Sequence, residues 1–212
     1  MPKHQPGCRE ELRRRMRAMM LELSCFEMAL ARGHAVAVSY SAGAPTFAPE
    51  LGRWMRTVEA VHDGLMSLQR GWERLDDLNQ PTWVNRAQST ALVVSSGDDY
   101  TGDLTPREPS NRNPKGKTFG TLVTANEQLA LFDIMSDVEP LHDIRETWVL
   151  LYNARDGFVY SELSLPVRMP KSRIEKWADR ILMPRLDMST NKFEPADDGE
   201  SGQDFNFTIR RR

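Results

Sequence analysis

Several residue sets in this chain have types and spacings that could carry chemistry. Asp98, Asp99 and Asp103 crowd the segment GDDYTGDLTP. Hard cations are held by several carboxylate and carbonyl oxygens, so an acidic loop of this kind is a candidate cation site. Its spacing is not that of a calcium loop. The four histidines, His4, His34, His62 and His142, have no second histidine or cysteine at ligand spacing. His62 lies on an apolar stripe and reads as a hydrogen-bonded core residue. His142 stands with Asp143, Arg145 and Glu146 and reads as part of a local ion network. No metal and no cofactor is assigned. Gly116-Lys117-Thr118 has the ending of a phosphate-binding loop, but Asn111 occupies the place of its first glycine. Pro114 removes a backbone donor where donors must cradle phosphate. Arg9, Arg13 and Arg17 share a helical face at i, i+4 and i+8. Such a stripe can neutralise nucleic-acid phosphates. Glu10 and Glu11 dilute it and no interleaved aromatic offers base stacking, so a solvated helix face is the alternative.

The most specific motif is Gln128-Leu129-Ala130-Leu131-Phe132. QLALF resembles the pentapeptide by which bacterial polymerases and repair proteins dock on the replicative sliding clamp, usually Gln-Leu-Ser/Asp-Leu-Phe. The resemblance covers five residues, and Ala130 departs from the usual Ser or Asp. It implies that Gln128 hydrogen-bonds in a small polar subsite while Leu131 and Phe132 fill an apolar pocket, with Leu129 also among the partner-binding residues. It also implies an extended, exposed segment. The competing reading is a core helix, since Leu122, Ala125, Leu129, Phe132 and Met135 follow helical spacing. A divalent-metal nuclease of the restriction type would place an Asp before Glu-any-Lys. Asp156 and Glu162 have that layout, but Ser164 stands where the lysine belongs.

These residues must be positioned by regular elements. Residues 8–31 read as one long helix, with Leu12, Met16, Met19, Leu23, Phe26 and Leu30 as a heptad-like seam and Gly33 as its stop. Residues 50–78 read as a second helix, striped by Leu51, Met55, Val58, His62, Leu65, Leu68, Trp72 and Leu75. The two stripes would bury each other as an antiparallel hairpin. Strands are expected at 91–95, 147–152, 158–165 and 205–209, with NARDG turning between the middle two. Ser172 and Glu175 have capping-box spacing ahead of Ile174, Trp177, Ile181 and Leu182, which predicts a helix over 172–183. Residues 97–120 read as a long loop, and 187–204 as a polar acidic segment.

The fold expected is α+β: an N-terminal long helical hairpin (1–82), then an α+β region (83–212) with a small antiparallel sheet of three or four strands covered by a helix. The balance of 28 Lys+Arg against 30 Asp+Glu excludes a globally basic protein. Two cysteines exclude a disulfide scaffold, and no stretch approaches the roughly 20 apolar residues of a membrane span. With no secretory signal at the N-terminus, the expected location is cytoplasmic. Three functional classes stay open. The first is a non-enzymatic accessory protein of bacterial or mobile-element DNA metabolism, recruited to the sliding clamp through QLALF and touching nucleic acid through Arg9, Arg13 and Arg17. The second is an assembly protein forming a homodimer through the Leu12–Leu30 seam. The third is an enzyme with its site in the acidic loop.

Overall fold

A computed structural model of the chain describes residues 6–77, 80–132 and 146–188. Three helices lead: α1 (Pro6–Ala18), α2 (Leu23–Ser39) and α3 (Ala48–Ser67). Strands β1 (Trp72–Asp77), β2 (Gln80–Asn85) and β3 (Thr90–Ser96) follow, then α4 (Lys117–Phe132). The chain continues through β4 (Glu146–Arg155), β5 (Phe158–Arg168), β6 (Lys176–Leu182) and β7 (Leu186–Asp187). All seven strands form one mixed sheet in the order β1-β2-β3-β4-β5-β6, with β7 on β5. Only β3 and β4 pair in parallel among the described residues. Such a pair needs a crossover connection, and α4 lies on that crossover. None of the described helices is long and apolar enough to cross a membrane.

The protein is thus α+β with four helices and a seven-stranded mixed sheet. A long N-terminal helical hairpin beside a small antiparallel sheet of three or four strands is not what forms. The 8–31 helix is two helices. Met20 takes a left-handed φ of 58°, Leu21 N–H donates to Met16 O and Met20 N–H to Arg17 O. That is a Schellman stop without its usual glycine. Contacts distant in sequence hold it: Trp72 Nε1 donates to Met20 O at 3.1 Å, and Arg70 pairs with Glu22 at 2.7 Å. The seam residues Leu12, Met16, Leu23, Phe26 and Leu30 are buried in the core beneath the sheet. Self-association through that seam would require opening the core.

The expected 50–78 helix ends at Ser67, and residues from Trp72 enter the sheet. Its stripe is also rotated. Leu51 and Met55 are exposed, while Arg53, Thr57, Val58, Val61 and Leu65 face inward. The 172–183 segment is not a helix but the edge strand β6. Its Trp177 and Ile181 are four residues apart, as in a helical stripe, but register shifts in the β5–β6 ladder send them to opposite faces of the sheet, each buried in a different core. The 155–158 hairpin turns on Asp156 (φ 52°) and Gly157 (φ 76°), the positive pair of a two-residue turn. The 82/83 division falls inside β2, and one cluster runs from Leu12 to Met183. Residues 205–209, Met135 and most of 187–204 lie outside the described residues.

Two layers cover the sheet. Leu92, Val94, Leu150 and Leu163 face α1–α3, whereas Val93, Val149 and Leu151 face Phe119 and Val123 of α4. Asn126 fixes α4 to the sheet. It donates to Thr147 O and Pro166 O, both at 2.9 Å, and accepts from Thr147 N at 2.8 Å. It stands in for a ladder rung where β4 and β5 are not paired.

Gly33 sets the α2–α3 approach. A Cβ there would lie 2.1 Å from Thr57 Oγ1 and 2.8 Å from Arg53 O. Gly33→Ala is expected to cost about 1–3 kcal/mol by overpacking. In denaturant titration, Thr57→Ala should rescue that loss only in part, because the Arg53 carbonyl still blocks the methyl group. Full rescue would place the strain in the side chain alone.

Candidate functional site

The carboxyl ends of β3 and β4 open onto the longest described loop, residues 97–116, and buried polar residues including Ser95, Thr101, Asn111 and Asn153 lie at this edge. The loop is held throughout by defined bonds. Asp98 N donates to Ser110 O at 2.9 Å, Arg112 N to Ser96 O at 3.0 Å, and Gly97 bridges Asn111. Asn111 is fully buried. Its Nδ2 donates to Asn113 O (2.6 Å) and Ser172 O (2.9 Å), and its Oδ1 accepts from Ile174 N (2.8 Å). One amide therefore ties the 97–116 loop to the 169–175 turn. Arg173 Nη1 to Asn111 O (2.9 Å) and Trp177 Nε1 to Pro109 O (2.8 Å) complete the seam.

The acidic residues of this loop are separately engaged. Asp98 Oδ1 accepts from Tyr100 N at 3.2 Å, Asp99 Oδ1 from Asn153 Nδ2 at 3.3 Å, and Asp103 pairs with Arg155 at 2.6 Å. Among the described residues, no group of three His, Cys, Asp or Glu side chains is placed to hold a metal ion. Glu162 is fully buried and accepts from Arg180 Nη2 (2.6 Å) and Nε (3.2 Å), Ser164 Oγ (3.0 Å) and Gly102 N (3.1 Å). That saturation makes it a structural ion pair. Removing one partner of such a pair costs about 3–5 kcal/mol, because the other charge is left buried alone. Asp156 sits in the hairpin turn instead of joining it.

Gly116-Lys117-Thr118 opens α4, separated from β3 by the whole loop. The amine of the preceding lysine, Lys115, lies 5.6 Å from the Phe119 ring centroid, and burial pulls its pKa down to about 8. His62 accepts from Trp83 Nε1 at 3.3 Å, as a packed histidine does.

The arginine stripe lies on α1. Arg9, Arg13 and Arg17 are exposed, and among the described residues no carboxylate pairs with them. Their neighbours are paired: Arg14 with Glu11 at 2.6 Å, and Arg15 with Asp179 of β6. The Arg14 guanidinium also holds the Glu11 carboxyl below its usual range. Gln128–Phe132 form the last described residues of α4, beyond the Asn126 anchor. Gln128 is exposed, while Leu129 and Ala130 are half-buried. The side chains of Leu131 and Phe132, the flank at 133–145 and Arg210–Arg212 lie outside the described residues. The arginine stripe and the pentapeptide are thus on different helices.

Sequence reasoning passed over a second set at the same sheet edge: His34, Glu50, Arg53, Arg112 and Tyr152. Gly33 lets α2 approach α3, so that Arg53 Nη1 donates to His34 Nδ1 at 2.6 Å. The available signal was the alternative apolar stripe Trp54, Val58, Val61 and Leu65, which turns Arg53 inward. No protein-family model, curated protein or solved structure matches the chain.

The His34 ring is held below its usual pKa, first by burial and then by the Arg53 charge, with Glu50 opposing. A depressed histidine gives stability that is fully present above its unfolded value of about 6.5 and is lost as pH falls through the folded value. Stability should therefore drop as pH falls below about 6.5. Unfolding titrations of His34→Leu should show that part of the pH profile flattened.

Proposed function

We propose that this chain is a non-enzymatic accessory protein of bacterial or mobile-element DNA metabolism that contacts nucleic acid through α1. The observation that carries the reading is the exposed run Arg9, Arg13 and Arg17, whose charges meet no carboxylate among the described residues although adjacent arginines do. Successive members rise by about 6 Å along the helix, so three guanidiniums can follow one strand's backbone. Contacts of this type go to phosphate and carry no base preference. A chain with net charge near neutral confines its attraction for nucleic acid to such a face.

Binding to a single-stranded oligonucleotide should therefore weaken with salt, with a log–log slope of about −2 for three phosphates neutralised. Replacing Arg9, Arg13 and Arg17 together by Ala should abolish the salt-dependent component and leave the melting temperature unchanged. Absence of binding to single- or double-stranded DNA at low salt would end this reading.

A second reading concerns Gln128–Phe132. It is favoured by the exposure of Gln128 and by the position of the pentapeptide at the end of α4, beyond the Asn126 bonds to the sheet. Docking on a sliding clamp would need the last turn of α4 to become extended. Gln128→Ala/Phe132→Ala should then abolish binding to a purified bacterial clamp while leaving the fold intact. A variant that unfolds, together with a wild-type protein that binds no clamp, would assign the pentapeptide to packing.

A further inference from the structure

Four buried side-chain polar atoms lack a hydrogen-bond partner among the described residues: Arg53 Nε, Thr101 Oγ1, Tyr152 Oη and Asn153 Oδ1. They fall into two sets: Tyr152 packs in the core on the α1–α3 side, where Arg53 also lies on α3, while Asn153 and Thr101 meet at Gly97 under the loop. Tyr152 and Asn153 are successive residues of β4. Gly97, which receives Asn153 Nδ2 on its carbonyl at 2.9 Å, would carry a Cβ only 2.1 Å from Thr101 Oγ1. The other buried side-chain polar atoms among the described residues have partners, as those of Asn111, Asn126 and Glu162 illustrate. Native proteins leave few buried polar groups unpaired, and these four require a cause.

Two of the four belong to a charged constellation on the helical side. The Arg53 side chain is only 9% exposed, and its Nε lies 3.4 Å from Glu50 Oε1 without making a hydrogen bond. Arg112 Nη1 stands 3.7 Å from the other Glu50 oxygen, and Arg112 Nη2 stands 3.9 Å from Asp99 Oδ1. These separations exceed hydrogen-bond length. The Tyr152 phenol lies in the same field. Burial pushes its pKa up most and Glu50 pushes it further, while Arg53 and Arg112 pull it down. Two guanidiniums thus flank one carboxylate that hydrogen-bonds to neither, and the buried Tyr152 hydroxyl is left without a partner. Glu50 is 43% exposed in the first turn of α3 and can turn to solvent, whereas Arg53 and Tyr152 cannot.

The geometry points to a binding site for a small-molecule oxyanion, a carboxylate or phosphate group, held by Arg53, Arg112 and the Tyr152 hydroxyl, with Glu50 as the internal stand-in that it displaces. A guanidinium presents paired donors that match such a group, and the phenol donates a third bond. Glu50 and Asp99 already balance the two arginines, which favours a singly charged group over a multiply charged one. The site is separate from the α1 arginines and does not rest on nucleic-acid binding.

The test is calorimetric titration of the full chain with sodium acetate and, separately, inorganic phosphate, at constant ionic strength set with chloride. Saturable binding of either is expected. Acetate alone would identify a carboxylate ligand and phosphate alone a phosphorylated one. Glu50→Gln should tighten binding by removing the competing charge. Tyr152→Phe and Arg112→Met should each weaken it about tenfold, the loss of one hydrogen bond to a charged group. Tyr152→Phe removes only an unpartnered hydroxyl, so it should melt no lower than wild type and keep the test independent of folding. Absence of binding by both anions would overturn the proposal. So would binding that none of the three substitutions changes, or that Glu50→Gln weakens.

Discussion

Everything in this fold follows from the parallel pairing of β3 with β4. A parallel pair cannot be closed by a tight turn, so the chain must cross over one face of the sheet before returning. That crossover contains the 97–116 loop and α4, which leaves the opposite face to α1–α3. Covered on both faces, β3 and β4 read as continuous apolar runs, ALVV and WVLL, with no solvent-facing alternation. The same pairing brings both strand ends to one edge of the sheet, where backbone groups emerge beside a long connection. Thr101, Asn111 and Asn153 are buried there for that reason.

Three buried polar devices make this arrangement specific. Asn111 joins the crossover loop to the 169–175 turn, Asn126 replaces a missing rung between β4 and β5, and Arg180 neutralises Glu162 in the floor of the loop. Each is hydrogen-bonded on both its donor and acceptor sides or through every oxygen it presents. Hydrophobic burial supplies the bulk of the stability, since it scales with the large apolar area shared by two core layers. The polar groups instead determine which loop conformation accompanies that core, because an alternative loop path would leave them buried and unpaired. The orphaned atoms of Arg53, Thr101, Tyr152 and Asn153 stand out against this background of satisfied groups.

Single local elements were legible in the sequence while the architecture they build was not, and the reasons are physical. The hairpin at 155–158 showed because its turn and its β-branched flanks act locally. β3 and β4 showed because doubly buried strands are simple apolar runs. The break at Met20 did not show, because it depends on Trp72 and Arg70, some fifty residues away, and no glycine or proline marks it. Trp72 and Leu75 extend the α3 stripe in register although they lie in β1, so helical periodicity ran past the true end of the helix. β6 was concealed because both faces of the sheet are covered there: a β-bulge sends Trp177 and Ile181 to opposite faces, so both are buried at a four-residue separation that also reads as helical. The polar sheet edge was the least legible part. His34, Glu50, Arg53, Arg112 and Tyr152 come from four separate elements, and only the Gly33 contact and the loop closure bring them together. The three loop aspartates drew attention as a sequence cluster, yet the structure gives each a different partner.

The most direct test of this account is native-state hydrogen exchange at the backbone amides of Asp98, Thr101, Arg112, Lys115 and Ile174, in wild type and in Asn111→Ala. If one buried amide orders the crossover loop, these amides will be protected in the wild-type protein. They will lose protection together in the variant, while β3 and β4 stay protected. Fast exchange at these amides in the wild type, or unchanged protection in the variant, would contradict the claim that Asn111 holds the edge of the sheet together.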